Sequence, residues 1–217
     1  MKNKHGYAGL PSILLNIDYM KHNSQLTTVG LLAFQGDVEE HESAILSLGY
    51  KTKWIRTKEE LKDVTHLIIP GGESTTVGKF LYKTGVGEEI QKRVKNNTLQ
   101  VYGTCAGAIL LSKEVETKIS VNNLKLIDIK ISRNAYGAQI HSFSTKLEFI
   151  PQKKMFEAVF IRAPRIISYG KSVKVLCKYK DEAVAVEQGN VLVSTFHPEL
   201  IRPAFIHEYF LNKSVKK

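Results

Sequence analysis

From Val29 onward the chain alternates short apolar runs with segments whose apolar residues recur at helical spacing, and this alternation constrains the fold more than any other feature. Val29-Gly-Leu-Leu-Ala-Phe34 reads as a buried strand, and Val38, His41, Ile45 and Leu48 then mark one helical face. Gly49 supplies the residue type that closes such a helix. Tyr50, Thr52 and Trp54 alternate as a second strand, a short helix is expected over Lys58 to Val64, and Leu67 to Ile69 gives a third strand ending at Pro70-Gly71-Gly72. A helical stretch from Thr76 to Lys95 follows. Val101 and Tyr102 then run into Gly103-Thr-Cys-Ala-Gly107 and an apolar helix start, Ala108 to Leu111.

Strands alternating with helices predict an α/β fold, an open and mostly parallel sheet with helices on both faces in three layers. Ligands of such sheets sit beyond the carboxyl ends of the strands. The second half reads as β over Leu126 to Ile131, Lys146 to Phe149, Val173 to Tyr179, Ala183 to Glu187 and Val191 to Phe196, a mixed extension at one side of that sheet. Pro203 to Leu211 forms a closing amphipathic helix. Residues 27–217 are expected to be a single domain and residues 1–26 an extension outside the core, with Met20 as an alternative start. The extension is a poor export signal, because Asn16 and Asp18 break its apolar run and no small-residue cleavage site follows.

Composition narrows the class. A chain of 217 residues, 43% hydrophobic and 24% charged, is long enough to bury one sizeable core. The net charge of +10 raises the question of nucleic acid or an anionic membrane, but the basic residues are interleaved with acids. Lys51, Lys53, Arg56, Lys58 and Lys62 alternate with Glu59, Glu60 and Asp63, the pattern of a solvated face rather than a binding groove. No nucleic-acid or membrane partner is therefore expected. Two cysteines, Cys105 and Cys177, argue against a disulfide framework and for a reducing, cytoplasmic setting.

The chemistry centres on Gly103-Thr104-Cys105-Ala106-Gly107, which has the spacing of a nucleophile elbow, a sharp strand-to-helix turn that lifts a reactive side chain clear of the sheet. A helix starting after Cys105 brings free N–H groups and positive dipole toward the sulfur, favouring the thiolate. Cys177 lacks such a frame and is assigned to packing. A cysteine nucleophile needs a base, and the base an acceptor that orients it. Phe196-His197-Pro198-Glu199 offers both, Pro198 stiffening the link between ring and carboxylate. The other histidines carry no such setting. Metal ligation is not expected, since neither HExxH nor a suitably spaced third ligand accompanies His197. Pro70-Gly71-Gly72-Glu73-Ser74-Thr75-Thr76 departs from Walker spacing and is read as an oxyanion hole, where the Gly72 and Ala106 amides face a developing negative oxygen. Its alternative is a plain turn.

Taken in order, Pro-Gly-Gly-Glu-Ser-Thr-Thr, Gly-Thr-Cys-Ala-Gly and Phe-His-Pro-Glu-Leu resemble the class I glutamine amidotransferases. Val-Gly-Leu-Leu-Ala-Phe-Gln-Gly (29–36), Ser-Arg-Asn-Ala-Tyr-Gly-Ala-Gln (132–139) with Ser142-Phe143, and Phe-Ile-Arg-Ala-Pro (160–164) are similar to the glutaminase subunits of pyridoxal 5′-phosphate synthase. The likeness covers roughly Thr28 to Phe210. It implies hydrolysis of L-glutamine without a cofactor, by Cys105, His197 and Glu199. It also implies transfer of ammonia through a tunnel to a barrel-shaped synthase subunit that builds vitamin B6 from a pentose phosphate and glyceraldehyde 3-phosphate, activation by docking, and an assembly with several copies of each subunit. By the same resemblance, Gly72, Glu73, Ser74, Arg133, Ile161 and Arg162 hold glutamine, and Gln35 lies near the oxyanion region and the partner. The rival readings are a glutaminase serving another synthase, such as imidazole glycerol phosphate synthase, and an inactive docking or redox-sensing subunit.

Overall fold

The computed structural model describes residues 27–133 and 142–215. In chain order the elements are β1 (Thr28–Leu32), α1 (Val38–Ser47), β2 (Lys51–Ile55), β3 (His66–Ile69), α2 (Ser74–Lys83), α3 (Val86–Lys95), β4 (Gln100–Thr104) and α4 (Ala106–Leu111). There follow β5 (Ser112–Glu116), β6 (Ile127–Ser132), β7 (Phe143–Phe149), β8 (Lys154–Phe160), β9 (Arg165–Tyr169), β10 (Lys174–Tyr179), β11 (Glu182–Gln188), β12 (Val191–Ser194) and α5 (Phe205–Leu211). Single 3₁₀ turns lie at Ile150–Gln152 and Pro198–Leu200.

The main sheet has seven strands in the order β10-β11-β12-β4-β3-β1-β2. Strands β2, β1, β3, β4 and β12 run parallel, with Val29 opposite Thr52, Leu67 opposite Val101 and Val191 opposite Val101, while β11 and β10 continue antiparallel. The central strands are apolar on both faces, as parallel strands covered by helices must be. Leu32, Leu67, Ile69, Val101 and Val193 face one core, which α2, α3 and α4 cover with Val77, Leu81, Val86, Ile90 and Ile109. Leu31, Ile68, Tyr102 and Leu192 face the other, covered by Val38 and Ile45 of α1, Phe205 and Phe210 of α5, and the aromatic side of the β7–β8 hairpin. This is the three-layer α/β arrangement expected.

Several elements depart from expectation. The segment Lys58 to Val64 is a run of turns, not a helix. Lys62 N–H donates to Glu59 O at 3.2 Å and Val64 N–H to Leu61 O at 3.2 Å, while the Glu60 carboxylate accepts from the amides of Arg56 and Thr57, so side-chain capping holds the chain in short loops. The single helix from Thr76 to Lys95 is two, because Gly85 at φ 69° reverses the chain after α2 and lets α3 start afresh. Only β10, β11 and β12 extend the main sheet. β6 instead pairs with β5 and β9, and β7 with β8, in separate small sheets. The hairpin alternates buried Leu147, Phe149, Phe156 and Ala158 with exposed Lys146, Glu148, Met155 and Glu157, so it has one wet face and can only lie over the main sheet, not within it. β5, β8 and β9 are short or polar on one face and carry no clear apolar run.

Candidate active site

Gln35 follows β1, Gly72 follows β3, Cys105 follows β4 and His197 follows β12, and these strands are consecutive in the sheet order β12-β4-β3-β1. Residues far apart in sequence therefore meet along one carboxyl edge of the sheet. They open onto a cavity of about 680 Å³, lined also by Glu73, Ser74, Ala106, Arg133, Ile161 and Arg162.

Cys105 has φ 48° and ψ −105°, a backbone conformation costly for a side-chain-bearing residue and typical of functional turns. Two supports hold it there. Its N–H donates to Ser194 O at 2.9 Å, tying the turn to β12. Gly107 lets the following helix press onto β3, since a Cβ there would stand 2.0 Å from Ile69 O, and a Cβ on Gly103 would stand 2.6 Å from the Gly107 carbonyl. The glycine frame is thus a requirement of close packing on both sides of the cysteine. Sγ lies 3.8 Å from the Ile161 carbonyl oxygen.

His197 leaves β12 with its N–H donating to Val159 O at 2.9 Å, and the Pro198–Leu200 turn folds Glu199 back beneath it. Nδ1 stands 2.6 Å from Glu199 Oε1 and 3.4 Å from Asp37 Oδ2. Burial disfavours a charged ring, but Asp37, Cys105 and Glu199 together outweigh it and hold the imidazolium well above the ordinary histidine pKa. Asp37 is correspondingly held below the usual carboxylate range, mainly by its contact with His197. For Glu199 burial dominates and raises the carboxyl, with His197 pulling the other way. Asp37, His197 and Glu199 place ligand-type atoms within 4.8 Å of one another. Ligands of one zinc ion stand roughly 3.3 Å apart, so the 2.6 Å contact between ring and carboxylate is a shared proton rather than a ligation geometry.

On the opposite wall Glu73 caps α2, accepting from the amides of Thr75 at 3.2 Å and Thr76 at 2.8 Å, and pairs with Arg133. Burial opposes its charge, but the bonds from Thr75 and Thr76 prevail and draw its carboxyl down to about 2. Among the described residues, the buried polar atoms Ser74 Oγ, Arg133 Nη1 and His197 Nε2 have no hydrogen-bond partner. All three belong to residues lining this one cavity. Arg162 adopts φ 46° at the rim.

The structure thus brings together Gln35, Gly72, Glu73, Ser74, Cys105, Ala106, Arg133, Ile161, Arg162 and His197 around one space, with Glu199 buried behind His197. The part of the Arg-Asn-x-Tyr-Gly block beyond Arg133, and the extension 1–26, lie outside the described residues. Three residues were missed. Asp37, in the loop after β1, touches His197; its only signal is an acidic side chain beside Gln35-Gly36. His41 and His207, read as lacking any setting, form a buried chain to Glu199. His41 Nδ1 is 2.9 Å from His207 Nε2, and its Nε2 is 3.1 Å from Thr104 Oγ1 and 3.3 Å from Glu199 Oε2. A histidine on an otherwise apolar helical face was the available sign.

A profile of the SNO glutamine amidotransferase family matches residues 31–216. The chain belongs to this family. It is 47% identical over 189 residues to pyridoxal 5′-phosphate synthase subunit PdxT of Thermosipho africanus, covering 87% of this chain and 99% of the relative. With the protein of the same name from Thermus thermophilus it shares 45% over 183 residues, 84% and 95% of the two chains. Among solved structures, one described as a glutamine amidotransferase superposes with a TM-score of 0.81 at 45% identity, covering 84% of this chain and 96% of the other. The Thermotoga maritima PurLQS structure, at TM-score 0.66 and 16% identity over 87% and 99%, shares the fold. This member of the family is therefore a glutamine amidotransferase by sequence and by shape.

Proposed function

We propose that the chain hydrolyses L-glutamine to L-glutamate and ammonia in the cytoplasm, within a single domain of residues 27–217, and delivers the ammonia to a barrel-shaped pyridoxal 5′-phosphate synthase subunit. The observation that carries this reading is the convergence of Cys105 and the Glu199-bound ring of His197 at adjacent strand ends. The relatives, which are pyridoxal 5′-phosphate synthase subunits, support the choice of synthase. The Cys105 thiolate attacks the side-chain carboxamide carbon, and the Gly72 and Ala106 amides receive the tetrahedral oxyanion. His197, oriented by Glu199, protonates the departing ammonia. It then takes a proton from the water that cleaves the γ-glutamyl thioester, returning the cysteine. Ser74, Ile161, Arg162 and Arg133, the last set by Glu73, hold the amino-acid end of the substrate, Ser74 Oγ and Arg133 Nη1, unpaired among the described residues, being the donors for its carboxylate. Gln35, at the mouth, couples the site to the partner.

The test is glutamate release with and without the synthase subunit. Cys105→Ala and His197→Asn each lower it by about a thousandfold or more while leaving the fold intact; parental rates in either variant reject the assignment. Arg162→Ala raises the KM for glutamine, and an unchanged KM removes Arg162 from the site.

A further inference from the structure

Glu199 is 1% exposed, and His197 engages only one of its two oxygens. No well-aligned hydrogen bond reaches the other, Oε2, yet His41 Nε2 stands 3.3 Å from it. His41 comes from α1 and is itself fully buried, as is His207 of α5, whose Nε2 is 2.9 Å from His41 Nδ1.

The tautomers follow from counting donors. A neutral imidazole has one N–H and one bare nitrogen. An ionised carboxylate only accepts, so the His41 nitrogen beside Glu199 must carry the hydrogen; it donates to Thr104 Oγ1 at 3.1 Å and keeps a positive edge, not a lone pair, 3.3 Å from Oε2. Nδ1 of His41 is then the acceptor, and His207 Nε2–H must donate to it. That leaves His207 Nδ1 bare, and this atom has no partner among the described residues. The opposite set of tautomers would strand an N–H in the core and turn a lone pair toward the carboxylate, both unfavourable. Burial opposes protonation of both rings, holding His41 well below its ordinary pKa and His207 down to about 3. The charged or titratable groups around the pair are Glu199 and His197 on the active-site side and Arg202 and Tyr102 on the side of His207.

We propose that His41 is a positioning residue for glutamine hydrolysis: its Nε2–H, anchored on Thr104 Oγ1, sets the positive edge of the ring 3.3 Å from Oε2 of Glu199, and His207 locks the tautomer that makes this possible. One carboxylate oxygen is thereby fixed so that the other meets His197 as an anion in a single orientation. Through Thr104, which precedes Cys105, the same ring ties the nucleophile's turn to the turn carrying Glu199. This inference rests on the triad reading above.

The experiment is a pH series of glutamate release by the full chain with a pyridoxal 5′-phosphate synthase subunit present. His41→Leu is expected to lower kcat roughly tenfold to a hundredfold, by analogy with the outer partners that orient metal-bound histidines. The KM for glutamine stays within about twofold, because His41 lies behind the triad and away from the substrate. The acid limb of kcat/KM moves to higher pH, because a buried carboxylate that loses a donor protonates more readily. His41→Gln, which keeps an N–H at the same reach, restores most of the rate and the acid limb. A folded His41→Leu protein with the parental kcat and acid limb overturns the proposal, and so does a loss of rate with an unmoved limb that His41→Gln fails to restore. If His41→Leu does not fold, ring ¹⁵N spectra of the unaltered protein decide. Neutral His41 protonated at Nε2 supports the relay, and protonation at Nδ1 or at both nitrogens near neutral pH overturns it. The two readings separate cleanly: an active Cys105→Ala protein sinks the triad, whereas an inactive one beside a silent His41→Leu sinks this inference alone.

Discussion

Asp37 shows how one side chain sets the charge state of a site. Its Oδ2 lies 3.4 Å from His197 Nδ1, so the ring faces two carboxylates, one buried and one partly open to solvent. Removing a nearby anion lowers the pKa of a base. Asp37→Asn is therefore expected to shift the titration of the His197 ring to lower pH and to bring the alkaline fall of kcat/KM to lower pH with it. Ring titration by NMR and the rate profile measure this independently, and an unmoved His197 would show that Glu199 alone governs it. At this scale the sequence was legible where chemistry announces itself locally, as at Cys105 between its glycines and at His197 two positions before Glu199. It was opaque at Asp37, His41 and His207. Their partners lie on other elements, and nothing in the local spacing of the chain records a contact between α1 and α5.

At the scale of elements, the turn at Cys105 depends on the small residues beside it. Gly107→Ala would place a Cβ 2.0 Å from Ile69 O, a backbone atom that cannot swing aside. Overpacking of this kind costs about 1–3 kcal/mol or more. We expect Gly107→Ala to lower the denaturation midpoint and to depress glutamate release by shifting α4 away from β3; wild-type values in both would contradict the packing. The β7–β8 hairpin is the counterpart on the far side. Phe160 is fully buried, stacks on Phe143 at 4.8 Å and meets Phe196 edge-on at 5.7 Å, immediately before Ile161 reaches the sulfur. Phe160→Ala should cost about 3–5 kcal/mol in chemical denaturation and raise the glutamine KM, since its strand carries that wall of the cavity. The strands of the first half were readable because each has a run of apolar residues between turn residues. The hairpin and the β5-β6-β9 sheet were only half readable, since a strand wet on one face does not say which sheet it joins.

For the whole molecule, the sheet order ranks the local stabilities. β4, β3 and β12 have partners on both sides and helices on both faces, whereas β2 and β10 are edges. Amide exchange is expected to be slowest in β3 and β4 and much faster in β2, where Lys51 and Trp54 are exposed. Mass spectrometry of deuterium uptake tests this, and equal protection of β2 would argue against its edge position. The alternation of strand and helix foretold the layers and the edge where the site lies; pairing order, which depends on contacts between distant segments, it did not. One of those pairings governs when the molecule becomes competent. Val191 sits opposite Val101 at the centre of the sheet, so the strand that presents His197 can be inserted next to the strand that presents Cys105 only after everything between Cys105 and Val191 has been made. A stretch of this chain that stops short of β12 displays the thiol but lacks the imidazole, and by the proposed triad it is expected to leave glutamine untouched.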